Sequence, residues 1–317
     1  MPHGRCDCRC VMCDVWKADG AGETMMEDDL TPHLESFRRL RVRRVVLSGG
    51  EALMHPNIWR LCKMLRDLRI KLTLVTSGQR LADCATDVGK WCDEVVVSLD
   101  GSPQIHDRVR QVEGAFDGLQ RGIRALRTAA PKLNVTAQTV LQRMNYHEIG
   151  RIIETARQLS VDSLNFRAVD ISSDAFQRPV PWEGIGRVAL TPEETKHFEL
   201  VVEAVLRTHR DEIASDFVVQ RPEDIRGFVR YFRALNDADS FPEPVCNAPW
   251  VSAVIETDGS VRPCTFHRPI GHLREGPLES IVNGDEATRF REELDMSTNP
   301  ICRRCVSKRR LTPYQRP

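Results

Sequence analysis

Cys6, Cys8, Cys10 and Cys13 crowd one short stretch, Cys246, Cys264, Cys302 and Cys305 close the sequence, and Cys62, Cys84 and Cys92 are scattered between. This placement of eleven cysteines constrains the chain more than any other feature. In a reducing compartment, clustered cysteines serve metal ligation or redox chemistry rather than disulfides. A cytoplasmic location is expected, because the N-terminal stretch carries Arg, Asp, Glu and four Cys in place of an apolar signal segment. No window approaches the apolar length of a membrane helix. A metal site at each end is the first expectation.

Cys6, Cys10 and Cys13 stand in C-x3-C-x2-C spacing on a loop that also holds Gly4. Three thiolates on a short loop can hold three irons of a 4Fe-4S cube and leave the fourth iron open to bind and cleave a ligand. The alternative is a structural zinc knuckle with Cys8 as fourth ligand, although such knuckles pair two ligands per turn and recruit the others from afar. At the other end, Gly259 and Cys264 form G-x4-C, and Cys302 and Cys305 form C-x2-C. Taken alone this suits a zinc ribbon, and with Lys308, Arg309 and Arg310 nearby it would suit nucleic acid. Against that partner, 45 basic side chains balance 45 acidic ones, and no basic stripe is interleaved with aromatics.

With 317 residues, 41% of them hydrophobic, the chain can bury one or two cores. From Val45 to about Val169, short apolar runs alternate with helix-like segments, the rhythm of βα units around a parallel sheet. Strands are predicted at Val45 to Leu47, Leu72 to Thr76, Glu94 to Leu99, Val135 to Leu141 and Ser163 to Val169. Apolar spacing of three and four predicts helices at Ile58 to Leu68, Phe116 to Thr128 and Tyr146 to Leu159. After Asp170 the rhythm stops. Thr191-Pro192-Glu193-Glu194 reads as a capping box opening a helical bridge to about Asn236. A Pro-flanked break at Phe241 to Val245 precedes a strand Ser252 to Thr257, an Asp258-Gly259 turn, a return to Arg262 and a last helix near Pro277 to Leu294. The expected domains are 1–172, 173–240 and 241–317.

The triplet and the motifs after it resemble the radical S-adenosylmethionine (SAM) superfamily. Leu47-Ser48-Gly49-Gly50-Glu51 is similar to the family's GGE motif, where glycine backbone and a carboxylate receive the methionyl ammonium of SAM. Thr76-Ser77-Gly78 stands where the family often has Thr-Asn-Gly. Ser98-Leu99-Asp100-Gly101 looks like its Ser-x-Asp-Gly strand end, and Arg110 stands twelve residues after Ser98, as does the family's SAM-carboxylate Arg. Asn145 fits a frequent pattern at the end of the fifth barrel strand. The resemblance implies a partial (β/α)6 TIM-like barrel whose SAM contacts are Met12, Gly49, Gly50, Glu51, Ser77, Ser98 and Arg110. Two features depart from the pattern. Met12 replaces the usual aromatic residue before the third Cys, and only five residues precede Cys6, where the family has its first strand.

The terminal cysteines look like the twitch form of the SPASM domain, a small α+β unit, with Cys246, Cys264, Cys302 and Cys305 holding one fully ligated auxiliary 4Fe-4S cluster. With no iron free for substrate, such a cluster takes or relays an electron. The resemblance therefore implies two 4Fe-4S clusters, SAM, and a flavodoxin or ferredoxin as reductant. The implied activity is an oxidoreductase that cleaves SAM to methionine and a 5′-deoxyadenosyl radical and abstracts hydrogen from an unactivated C–H bond. A small hydroxylated metabolite is favoured as substrate over a ribosomally made peptide. Sulfatase maturases carry Asp after the Cys of G-x4-C, where this chain has Thr265, and the ~80 residues of a peptide-recognition domain are not to spare. Cys8 is read as a bystander, Cys62, Cys84 and Cys92 as core thiols, and His267 as solvent-facing; no catalytic base is assigned.

Overall fold

The computed structural model describes residues 1–17, 24–179 and 181–307. All five predicted strands form, as β1 (Arg44–Leu47), β2 (Lys71–Thr76), β3 (Glu94–Ser98), β4 (Asn134–Leu141) and β5 (Ser163–Ala168). They pair in parallel in sequence order. Parallel neighbours need crossovers, and helices supply them. Helices Ile58–Asp67, Ala115–Ala129 and Ile149–Gln158 match the periodic segments. Two more were not foreseen. Leu81–Trp91 carries Asp83, Asp87 and Gly89, which blur its apolar stripe; Pro103–Arg110 follows Ser102 as N-cap with Pro at its first position, a signal that was present.

All these helices lie on one face. Val135, Ala137, Thr139 and Leu141 of β4 are buried while Thr136, Gln138 and Val140 are half-buried, and Leu164, Phe166 and Ala168 of β5 alternate with Ser163, Asn165 and Arg167 in the same way. A parallel sheet covered on both faces would show no such alternation. The second face is therefore concave and open, and register places Ser98, Gln138 and Asn165 side by side across it.

Where six strands were expected, five pair in the parallel sheet among the described residues, and each outer edge is met by a single parallel bridge. His3 bridges Gly49 beyond β1, and Val218 bridges Leu164 of β5. The short N-terminal segment runs so close to the glycines that a Cβ on Gly50 would lie 2.1 Å from the Arg5 carbonyl oxygen.

The capping box is present: Thr191 Oγ1 accepts from Glu194 N at 3.2 Å and the Glu194 carboxylate accepts from Thr191 N at 2.8 Å. The bridge is broken into Pro192–Thr208, Arg210–Ala214 and Pro222–Leu235, and the segment between the last two supplies the Val218 edge contact. The C-terminal sheet is antiparallel, β6 (Val254–Ile255), β7 (Ser260–Arg262) and β8 (Gly271–His272). Gly259 turns the hairpin with φ +90°, where a side chain would be strained. The expected last helix is split at Gly284 into Leu278–Asn283 and Asp285–Glu293. Among the described residues no helix is long and apolar enough to cross a membrane.

His106 makes the core sensitive to acid. His106 is fully buried, accepts from Asp100 N at 3.2 Å through Nδ1, and has no partner at Nε2. Burial, then Arg110, push its imidazole from 6.5 down to about 4. Between those values the unfolded chain binds the proton and the folded chain does not, so stability falls as pH drops from about 6.5 toward 4. At ~1.4 kcal/mol per unit the loss approaches ~3 kcal/mol. Urea midpoints of wild type and His106→Gln at pH 7 and pH 5 check this. The wild-type midpoint should fall further, and parallel falls would refute it.

Candidate functional site

The loop bearing Cys6, Cys10 and Cys13 is fixed by backbone bonds at both ends. Arg9 N and Val11 N donate to the carbonyls of Arg110 and Val109, each at 3.0 Å, and Asp14 N donates to Phe176 O at 3.0 Å. Cys8 points inward, is 1% exposed, and its thiol hydrogen-bonds Cys10 and Cys6, which raises it far above the usual thiol range. Cys10 is correspondingly lowered to about 7, by the Cys8 bond first and by the Arg110 charge, with Arg110 Nη1 donating to its sulfur at 3.4 Å. Burial pushes Cys13 up to about 12, with Cys10 and Cys6 adding to the rise. The charges of Cys10 and Cys6 thus both reach Cys13. Among the described residues no group of three or more His, Cys, Asp or Glu is drawn together as a single ion requires; a cube presents a separate iron to each thiolate.

The predicted SAM contacts converge on this loop from the C-terminal ends of β1, β2 and β3. Glu51 is 1% exposed and accepts from Leu53 N, Thr76 Oγ1 and Ser77 N at 3.0, 2.9 and 2.7 Å. Burial, then the neighbouring Asp7, raise its pKa despite these donors. Asp7, between Cys6 and Cys8, takes Ser77 Oγ on one oxygen at 3.0 Å, while the other oxygen is buried without a hydrogen-bond partner. A cation fits between two such carboxylates. Ser98 ends β3 on the concave face beside Gln138. Met12 is buried with its sulfur accepting from Gln142 Nε2 at 3.6 Å, and Gln142 Oε1 is left buried and without a partner. Asp7 Oδ2 is paired only loosely, 3.9 Å from Arg80 Nε, and with the partnerless Gln142 Oε1 and the lowered Cys10 thiol it fits a bound cluster with SAM. Arg110 is already engaged: Nε and Nη2 hold Asp100 at 2.7 and 2.6 Å, so its first role is to brace the loop. Asn145 staples the turn after β4, donating to Asp100 O and Val140 O at 2.9 and 3.0 Å.

Residues after β5 close the loop from the other side. Arg178, 2% exposed, pairs with buried Asp170 and donates to Met12 O at 3.4 Å and Ala175 O at 3.0 Å. Trp182 Nε1 donates to Asp14 at 2.9 Å. Between them Phe176 and Gln177 both adopt the left-handed conformation, φ +62° and +60°, which turns the Phe176 carbonyl toward Asp14 N. Such strain persists only where surroundings enforce it. The charge of Arg178 reaches Cys13 and that of Asp170 reaches Cys305, so the pair stands between the two cysteine sets.

In the second set, Cys302 is pushed up to about 12 by burial first and then by Cys305, Cys264 and Cys246, so the four thiols sense one another. Ala248 N donates to Cys246 Sγ at 3.4 Å and Ser307 N to Cys305 Sγ at 3.3 Å. The expectation of a solvent-facing His267 is overturned: it is 5% exposed, its Nε2 lies 3.4 Å from Cys302 Sγ, and its ring packs edge-on to Phe290. Its apolar setting comes from the helix Asp285–Glu293, far along the chain. Cys62 and Cys92 are buried and Cys84 half-buried. Lys308, Arg309 and Arg310 lie outside the described residues.

Sequence reasoning missed Asp7, Asp100, Gln142, Asp170 and Arg178. Asp7 lies inside the triplet and Asp100 inside the Ser-x-Asp-Gly run, so both were within reach; Gln142, Asp170 and Arg178 carry no spacing signal.

Residues 1–156 match the family model of the radical SAM superfamily, and residues 246–306 that of SPASM, an iron-sulfur cluster-binding domain. The chain is similar to a probable GTP 3′,8-cyclase of Thermococcus kodakarensis, 29% identical over 161 residues, 48% of this chain and 50% of that protein. It is also similar to PqqA peptide cyclase of Ruegeria pomeroyi, 27% identical over 241 residues, 74% of this chain and 58% of that one. It thus spans about half the length of the curated relatives it matches. Among solved structures, hexahistidine-tagged anSMEcpe with bound AdoMet superposes with a TM-score of 0.66 at 16% identity, over 94% of this chain and 82% of that one. SuiB of Streptococcus suis bound to S-adenosylmethionine gives 0.66 at 13% identity, over 96% and 70%. Both are likenesses of fold.

Proposed function

Since this chain is a radical SAM enzyme with a SPASM domain, we propose that it oxidises a small hydroxylated metabolite held on the concave face of the sheet. When bound, the N-terminal cluster and SAM supply the 5′-deoxyadenosyl radical that removes hydrogen, and the auxiliary cluster takes the second electron. Cys6, Cys10 and Cys13 would hold the first cluster; Cys246, Cys264, Cys302 and Cys305 would hold the second. A flavodoxin or ferredoxin is the fitting class of reductant.

The observation that carries this reading is the polar row between the two cysteine sets. Ser98, the last residue of β3, stands in register with Gln138 in the middle of β4 and Asn165 within β5. Arg167 adds a cation, donating to Gln138 Oε1 at 2.8 Å and to Ser307 Oγ at 2.6 Å. Ser307 in turn binds the sulfur of Cys305. Hydroxyls and amides match a hydroxyl-bearing substrate, whereas an apolar pocket would reward an apolar one. Glu51, with Asp7 beside it, offers negative charge to the ammonium of SAM, and Met12 with Gln142 would flank its adenine. The barrel wall and the post-β5 segment keep water from the reacting carbon.

A second reading, oxidation or cross-linking of a ribosomally made peptide, is favoured by the PqqA peptide cyclase likeness, which covers 74% of this chain. Anaerobic incubation with SAM, reductant and panels of polyols, amino alcohols and peptides, assayed for 5′-deoxyadenosine and product, separates the two. Replacing Cys246, Cys264, Cys302 and Cys305 should leave 5′-deoxyadenosine formation and remove oxidised product. Product at the normal rate from a folded variant lacking that cluster sinks the electron-acceptor role.

A further inference from the structure

We propose that His267 sets the redox poise of the auxiliary site: its Nε2–H donates to the sulfur of Cys302 and makes the cluster there easier to reduce. The inference rests on the reading of Cys246, Cys264, Cys302 and Cys305 as one cluster and deepens it.

The sulfurs of Cys246 and Cys305 receive backbone N–H groups from Ala248 and Ser307. For Cys302 the donor is a side chain, brought from a segment 35 residues away. The imidazole is aimed by a pinned backbone: His267 N donates to Cys264 O at 3.4 Å, and His267 O accepts from Arg262 Nη1 at 2.9 Å. The Phe290 ring, 4.9 Å away and edge-to-face, holds the imidazole plane. A thiolate ligand has no proton to give, so the shared proton belongs to Nε2. A hydrogen bond to a cluster sulfur draws charge from it, favours the reduced state and raises the potential. Raised potential is what an electron acceptor requires.

The test uses the full chain, reconstituted anaerobically without SAM or substrate and titrated by electron paramagnetic resonance. His267→Phe keeps an aromatic ring against Phe290 and removes the donor; His267→Gln restores an N–H. Expected are unchanged iron, a lower midpoint for the auxiliary cluster alone in the Phe variant, and recovery toward wild type in the Gln variant. An unmoved midpoint in the Phe variant overturns the proposal. Should that variant lose its second cluster, wild type with nitrogen-15 histidine decides: a weak nitrogen coupling on the reduced auxiliary cluster supports donation. No coupling, or one strong enough for a ligand, overturns it. Wild type with a single cluster overturns the four-cysteine reading as well. A shifted midpoint without product from any substrate panel overturns only the proposed oxidation.

Discussion

Replacing Cys6, Cys10 and Cys13 together by alanine should halve the iron of anaerobically reconstituted protein, from about eight to about four atoms per chain, and abolish release of 5′-deoxyadenosine. The loss of activity is expected to be complete, because three thiolates on one loop act as a unit. The fold should survive: the loop is held by the amides of Arg9, Val11 and Asp14, and alanine keeps all three bonds. The remaining iron belongs to the distal set, whose ligands share no residue with the loop. Total loss of iron, or stoichiometric zinc in the wild type, would overturn the two-site arrangement.

Arg110→Ala should cost about 3–5 kcal/mol of folding stability, more than the loss of a SAM contact alone would explain. Asp100 is 0% exposed and bound by two guanidinium nitrogens, with Val140 N at 3.3 Å on its other oxygen. Removing the cation strands that carboxylate in the core. Glu51→Gln is the milder change: it keeps the volume and one acceptor but turns the oxygen facing Ser77 N into a donor, so it should weaken SAM binding by about 1.5–3 kcal/mol and cost about 1–3 kcal/mol of stability, less than Arg110→Ala. Joining Arg110→Ala to Asp100→Leu should recover much of the stability and none of the SAM affinity. If Arg110→Ala unfolds at the wild-type urea concentration, the buried pair does not brace the loop.

Four of the five strands were legible as short runs rich in β-branched residues, as in Val95, Val96 and Val97, β5 by the alternation of Leu164, Phe166 and Ala168, and the alternation in β4 survives because only one sheet face is covered. The two cysteine sets and the Gly49-Gly50-Glu51 turn stand out by their spacing. What escaped is contact between distant segments. Nothing near Arg110 announces Asp100 as its partner, nothing near His267 announces Phe290, and Arg178 reads as one more surface cation until the chain after β5 folds back over the triplet. The helix Leu81–Trp91 escaped for a local reason, since two aspartates and a glycine interrupt a stripe that tertiary packing nevertheless buries at Leu81, Ala85 and Val88.

The brace across the first cysteine loop also orders events in time. Its partners lie 100 residues away for Arg110 on Cys10, 130 for Gln142 on Met12 and 166 for Arg178 on Met12. At about 5–20 residues per second of synthesis, the triplet leaves the ribosome roughly ten to thirty seconds before Arg178 exists to hold it. During that interval three thiols hang from a loop with no walls around them, open to oxygen and to stray metal. The distal cysteines emerge with their neighbours close behind. Iron delivery to the first loop is therefore expected to be safe only after the sheet has closed, so the part of the chain that is made first must wait for residues made long after it.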